Sequence, residues 1–217
     1  MIRRQLPTGS RQPPIVNLPP ATKAVAGVMI LAYLASLTQT LRPAIMTWLS
    51  FDPEAGLARW LSGSLTYGLV HANLMHLVGN LLGVVILGPL IERRHGPWAL
   101  LLLLLAGSFA GALAHAGVQQ LTGTMAGLIG ASASAAALIG WSLRQLRDRR
   151  GFGQLDRAVL LYGVLFLLFN AVGILIFRDS PIAYAAHAGG FVAGWLLGGA
   201  GMLDGLTRPQ AGGRRWS

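Results

Sequence analysis

Two serines lie in the stretch G130-A131-S132-A133-S134-A135-A136, a histidine in A-Y-A-A-H187-A-G-G, and two histidines with an asparagine in H71-A-N-L-M-H76-L-V-G-N80. These residue types are the ones acyl transfer uses. A serine hydroxyl is a weak nucleophile until a neighbouring base takes its proton, and imidazole is the usual base near neutral pH. None of the seven acidic residues, Asp52, Glu54, Glu92, Asp148, Asp156, Asp179 and Asp204, falls at mid-depth in an apolar segment. A Ser-His-Asp triad is therefore not expected, and a Ser-His dyad is what remains. Ser132 and Ser134, two apart, point about 200° from each other on a helix of 3.6 residues per turn, so both cannot face one base. Gly130 leaves room for a substrate backbone beside Ser132, whereas Ser132 itself would crowd the same approach to Ser134. Ser132 is the expected nucleophile.

These residues also have plainer readings. A serine in an apolar helix commonly bonds its own i−4 carbonyl or a neighbouring helix. His71, His76 and His187 could serve as zinc ligands, although no acidic fourth group accompanies them. His95 reads as a loop residue beside Arg94, and His115 and Asn170 read as structural.

The elements that must position such groups are membrane helices. Of 217 residues, 53% are hydrophobic, 11% are charged and 29 are glycine, a composition too apolar for a water-facing domain. Six apolar segments, approximately 23–41, 69–91, 97–120, 124–144, 158–177 and 183–203, are each long enough at about 20 residues to span a hydrocarbon core of roughly 30 Å. The expected fold is an all-α, polytopic bundle of six transmembrane helices over residues 23–203. A disordered basic tail is expected at 1–22, rich in Arg and Pro, and a short basic tail at 204–217. The long polar lead and span-length first segment argue against a cleaved signal peptide. With no cysteine, neither disulfides nor a thiol mechanism is available.

The formal charge of +10 does not point to nucleic acid, because the 17 Lys and Arg fall in short clusters between apolar runs. Fourteen of them precede the first segment, lie between the second and third or around the fourth loop, or follow the sixth; only Arg42, Arg59 and Arg178 lie in the alternate loops. By the positive-inside rule both termini are cytoplasmic, and loops 42–68, 121–123 and 178–182 face outward. His71, His76, Asn80 and His187 then come to the outer half of the bundle. Ser132 sits about eight residues, or roughly 12 Å, into the fourth segment. Ionisable groups inside a membrane default to a functional reading. Gly190, Gly194 and Gly198 on the sixth segment, Gly79 and Gly83 on the second, and Gly123 and Gly127 leading into the fourth have the four-residue spacing that lets helices approach closely. Trp48, Phe51, Trp60 and Tyr67 are expected to form an interfacial aromatic patch in loop 42–68.

Taken together, H71-x4-H76-x3-N80, G130-x-S132 and A186-H187-x-G189-G190 with Gly194, in that order over residues 57–200, resemble the rhomboid intramembrane serine proteases. Glu92-Arg93-Arg94 after Gly88 is similar to that family's exit from its second span. The chain departs from the family pattern in having Ala133 after the serine, Ala136 where a bulky aromatic is common, and Arg59-Trp60 reversed and shifted from the usual Trp-Arg pair. The resemblance implies Ser132 as nucleophile, His187 as general base, His76 and Asn80 with the Ser132 amide as oxyanion hole, and His71 as a supporting member of the cluster. It implies transmembrane protein substrates, cut in or beside the span at a small residue near helix-weakening ones, and no metal or organic cofactor. The expected location is a bacterial inner membrane. A rhomboid-like protein that binds membrane clients without cutting them is the alternative.

Overall fold

The computed structural model describes residues 17–123, 126–147, 154–176 and 184–199. Eight α-helices run through them: α1 (Pro20–Ser36), α2 (Arg42–Leu49), α3 (Leu57–Thr66), α4 (Leu74–His95), α5 (Pro97–Thr122), α6 (Ser132–Arg147), α7 (Gln154–Ile176) and α8 (Tyr184–Gly199). A 3-10 turn at Tyr67–Leu69 precedes α4, and among the described residues the only β pairing is an isolated antiparallel bridge between Phe51 and Leu128. The described chain is all-α, and a helix occupies each of the six predicted segments. α4 and α5, of 22 and 26 residues, are long and apolar enough to cross a bilayer. Residues 1–16 and 204–217 of the expected tails, and the outer loop 178–182, lie outside the described residues.

The distribution of side chains is inverted relative to a water-soluble bundle. Leu31, Leu105, Leu161, Leu167, Phe169 and Leu196 face outward, while Ser64, Asn80, Ser108, Gln119, Ser134 and Ser142 are buried. An apolar exterior this extensive suits lipid, and the interior is held by small residues and hydrogen bonds rather than by expulsion of water.

α1 starts at Pro20, three residues before the predicted span, because proline at the first helical position needs no N–H partner. Its N-cap, Pro19, offers no capping side chain. The buried Glu92 carboxylate supplies the cap from α4 instead, accepting from Ala21 N at 2.8 Å, Thr22 N at 2.7 Å and Thr22 Oγ1 at 2.8 Å. A carboxylate at the positive end of a helix dipole is favourably placed.

Segment 42–68 is not the plain loop of the sequence reading: it folds into α2 and α3. The expected aromatic patch is also corrected. Trp48 is exposed, but Phe51 and Tyr67 are fully buried and Trp60 packs on them, with Phe51–Trp60 centroids 5.3 Å apart and Phe51–Tyr67 centroids 6.3 Å apart. Burial against Ala112, Leu128, Ala133 and Ala186 removes more apolar surface than the interface would.

The fourth segment departs from expectation at its start. Residues 126–131 are non-helical and are stitched to the preceding region by Phe51 N to Leu128 O (3.0 Å), Leu128 N to Phe51 O (2.9 Å) and Gly130 N to Tyr67 O (2.9 Å). Helix begins only at Ser132, so the serine stands at a helix start rather than eight residues inside one. The physical cause is Gly130, whose φ of +101° no helix can continue through.

Behind this turn, α5, α6 and α8 form the tightest part of the bundle. The backbone at Gly190 and Gly194 of α8 lies against the Ala133 and Ala137 carbonyl oxygens of α6, and Gly140 of α6 lies against the Phe191 carbonyl of α8. Any Cβ at these three positions would collide with backbone. The glycine stripe on α8 is thus a helix-packing seam. Gly79 is not part of such a seam, because nothing lies within 4 Å of where its Cβ would be; Gly123 ends α5 at φ +70°.

Candidate active site

The site is assembled at the N-terminal ends of α4, α6 and α8, with one contribution from α7. On α4, Asn73 is the N-cap: its backbone is extended and its side chain accepts from His76 N at 2.9 Å. That cap fixes where α4 starts, and so which face carries His76 and, one turn on, Asn80. His71 lies just before the helix, its ring edge-on to His76 with centroids 5.2 Å apart. Asn80 is only 4% exposed and its Nδ2 has no hydrogen-bond partner among the described residues. A buried amide donor left without a partner is costly, so its retention calls for an acceptor that arrives from outside.

His76 and Asn80 converge on Gly130. A Cβ there would run into Nε2 and Cε1 of the His76 ring and would lie 3.3 Å from Asn80 Nδ2. Gly130 is therefore required twice, by its left-handed φ and by the two side chains that close over it.

Two residues further on, Ser132 Oγ lies 2.7 Å from His187 Nε2, a hydrogen bond between residues 55 apart in the chain. The Gly190/Gly194 seam explains the proximity: His187 shares a face of α8 with both glycines, and their backbone contact with α6 brings the imidazole to the start of that helix. The ring is flanked by Phe166 at 5.1 Å and Tyr184 at 6.4 Å between centroids. Its other nitrogen, Nδ1, is hydrogen-bonded to Asn170 Oδ1 of α7. Ser134 points away, its hydroxyl 2.8 Å from both Leu104 O and Ser108 Oγ of α5.

All five predicted side chains, Ser132, His187, His76, Asn80 and His71, thus lie around one turn of backbone, and Ser134 is separated from them as helical geometry requires. Asn170, read from sequence as structural, belongs to the cluster. The available signal was an amide in an otherwise apolar helix. His95 is also corrected: it is the last residue of α4, buried, with its ring edge-on to Trp141 at 5.2 Å. His115 bonds the Ala126 carbonyl at 2.8 Å, tying α5 to the segment that leads into Ser132. Among the described residues no three His, Cys, Asp or Glu side chains are grouped so as to hold a metal ion.

A hydroxyl hydrogen-bonded to an imidazole, beside a buried amide donor with no partner among the described residues, is an arrangement suited to attack on a carbonyl and retention of the resulting oxyanion. Comparison with known proteins agrees in kind. The family model described as Rhomboid domain matches residues 58–202. Among curated proteins, the chain is 30% identical over 158 residues to Rhomboid protease GlpG of Pectobacterium atrosepticum, covering 71% of this chain and 53% of that one. It is 29% identical over 184 residues to Rhomboid protease GlpG of Yersinia pestis and 31% identical over 185 residues to that of Serratia proteamaculans, covering 82% of this chain and 61% of theirs in both cases. The chain therefore spans between about half and three fifths of the length of these relatives. With the family match running from α3 through the last described helix, and the polar cluster falling wholly inside it, the chain is an integral membrane protein of the rhomboid family.

Proposed function

We propose that this protein is an intramembrane serine endopeptidase that hydrolyses a peptide bond within or beside a transmembrane segment of another protein. The observation that carries the reading is the 2.7 Å contact between Ser132 Oγ and His187 Nε2 inside a rhomboid-family chain. In the proposed reaction Ser132 Oγ bonds to the scissile carbonyl carbon as His187 Nε2 takes the hydroxyl proton. The oxyanion is held by Asn80, His76 and the Ser132 amide. The C–N bond then breaks, His187 returns the proton to the leaving amine, and water attacks the acyl-enzyme by the same route in reverse. His71 supports His76 through their edge-on ring contact.

Substrates are single-span proteins with a small residue at the cut and helix-weakening residues nearby, since the bond must be presented as extended backbone. The bundle crosses the membrane six times with both termini cytoplasmic, a topology the arginine distribution supports. The bacterial relatives support an inner-membrane location.

The test is active-site labelling. Purified protein in detergent is treated with a fluorophosphonate and digested, and the modified serine is located by mass spectrometry. Modification at Ser132, lost in His187→Ala, is the expected result. No modified serine would sink the protease reading and favour a client-binding rhomboid-like protein.

A further inference from the structure

We infer that Asn170 is the third member of a Ser132-His187-Asn170 relay, a positioning residue that fixes His187 in the tautomer a general base needs; the inference rests on the protease reading above. The donors and acceptors of one amide fix the direction of these hydrogen bonds. Asn170 Nδ2 donates to the Phe166 carbonyl, one turn earlier on α7, at 2.7 Å. A backbone carbonyl can only accept, so the amide nitrogen must lie on that side and Oδ1 must face His187. Oδ1 is an acceptor only. Its hydrogen bond with His187 Nδ1 therefore requires the proton to be on Nδ1. A neutral imidazole with its proton on Nδ1 presents a lone pair at Nε2, and Nε2 is the atom 2.7 Å from Ser132 Oγ. The chain of hydrogen bonds consequently has one direction, from Ser132 O–H to Nε2 and from Nδ1–H through Asn170 to Phe166.

Without Asn170, the opposite tautomer, with the proton on Nε2 donated to Ser132 Oγ, becomes available, and that form cannot take the serine proton. None of the described acidic side chains is hydrogen-bonded to His187, so the amide fills the place an aspartate occupies in a Ser-His-Asp triad, as an asparagine does in Cys-His-Asn enzymes. The helix that carries it is otherwise placed for the task. Tyr162, Phe166 and Asn170 repeat at four-residue intervals on one face of α7. Tyr162 bonds the Gly79 carbonyl of α4 at 3.2 Å, and Phe166 packs on the His187 ring. α7 thus delivers the amide from the face that touches the site, while Leu161, Leu165, Leu168 and Phe169 face outward.

The experiment compares the unmodified chain with Asn170→Ala, Asn170→Leu and Asn170→Asp in proteoliposomes, using a tagged single-span reporter protein as substrate and thermal unfolding as the control for folding. Asn170→Ala and Asn170→Leu should lower kcat roughly 10²-fold with KM within about twofold, well short of the ~10⁴-fold seen when a triad carboxylate is replaced and the wrong tautomer results. Asn170→Asp, which restores an acceptor at the same atom, should recover most of that loss. In the ¹⁵N spectrum of histidine-labelled protein, with His187 assigned by its disappearance in His187→Gln, a single Nδ1–H tautomer is expected, becoming a mixture in Asn170→Ala. The spectrum does not depend on substrate, so it separates the two readings: a fixed Nδ1–H tautomer in a protein that cuts nothing and takes no fluorophosphonate refutes the protease reading alone. The relay is overturned if Asn170→Ala keeps its kcat, if the loss is in KM, if Asn170→Asp fails to recover, if activity and melting temperature fall together, or if the His187 tautomer is unchanged by the substitution.

Discussion

At the scale of single residues, the two serines separate by what each hydroxyl touches. Among the described residues Ser132 Oγ bonds the His187 imidazole, whereas Ser134 is committed to Leu104 O and Ser108 Oγ in the α5 seam. Ser132→Ala and His187→Ala are each expected to abolish cleavage of a single-span reporter. Ser134→Ala is expected to keep most of the turnover and to lose about 1 kcal/mol of stability, the usual net worth of a neutral hydrogen bond. Thermal unfolding beside the cleavage assay distinguishes the two effects. Asn80 gives a sharper case, because its buried Nδ2 has no hydrogen-bond partner among the described residues. Removing the proposed oxyanion donor breaks no hydrogen bond among the described residues, so Asn80→Ala should lower kcat by roughly 10²-fold with the melting temperature unchanged. A parallel fall in stability and activity would make Asn80 a packing residue. The sequence carried these placements clearly, since each rests on a residue type and a short spacing: a step of four from His76 to Asn80 and of two from Gly130 to Ser132. Asn170 was less legible. Its partner is 17 residues away on another helix, and only the packing of α7 on α8 tells an amide that orients a base from one that merely bonds its own helix.

At the scale of elements, glycine spacing and hydropathy carried much of the fold, but they could not tell which glycines are used. Gly79 and Gly194 look alike in sequence, each four residues from another glycine on an apolar helix. The structure puts open space beside Gly79 and the Ala137 carbonyl beside Gly194. Gly194→Ala must therefore push α8 from α6, and overpacking of this kind costs about 1–3 kcal/mol, roughly 3–10 °C in melting temperature for a chain of this size. Because the same seam holds His187 against Ser132, cleavage should fall with it. Gly79→Ala should be neutral or slightly stabilising, as alanine is the better helix former. Melting curves of the two variants settle the matter, and equal destabilisation would refute the assignment of the seam to α6 and α8. The start of α6 was illegible for a related reason. Alanine, glycine and serine score as apolar whether or not they are helical, so a hydropathy window runs through residues 126–131, where the backbone is pinned to Phe51 and Tyr67 instead. The two short helices in 42–68 escaped for want of length: at 8 and 10 residues neither holds a span-length apolar run.

At the scale of the whole molecule, the proposed orientation of the bundle rests on its charges, independently of the family. Fourteen of 17 basic residues fall on one side of the proposed six-span path, and the three exceptions, Arg42, Arg59 and Arg178, are spread over two loops. Of the exceptions, Arg59 is engaged locally, donating to Thr47 O at 2.8 Å and lying 3.9 Å from Asp52, so it adds little free positive charge to its loop. Arg93 and Arg94 sit in the last turn of α4, and Arg144 and Arg147 in the last turn of α6, so both helices end in basic residues on the same proposed side. In the proposed orientation the site, built from the opposite ends of α4, α6 and α8, opens toward the outer face, where water can reach the proposed acyl-enzyme. Reporter fusions after residues 94, 150 and 217 are expected to read as cytoplasmic and fusions near 55 and 122 as external, measured with a paired reporter active on one side only. An external signal at 150 would invert the bundle. It would place the hydrolytic water on the cytoplasmic side and require the substrate's cleaved segment to be presented from there.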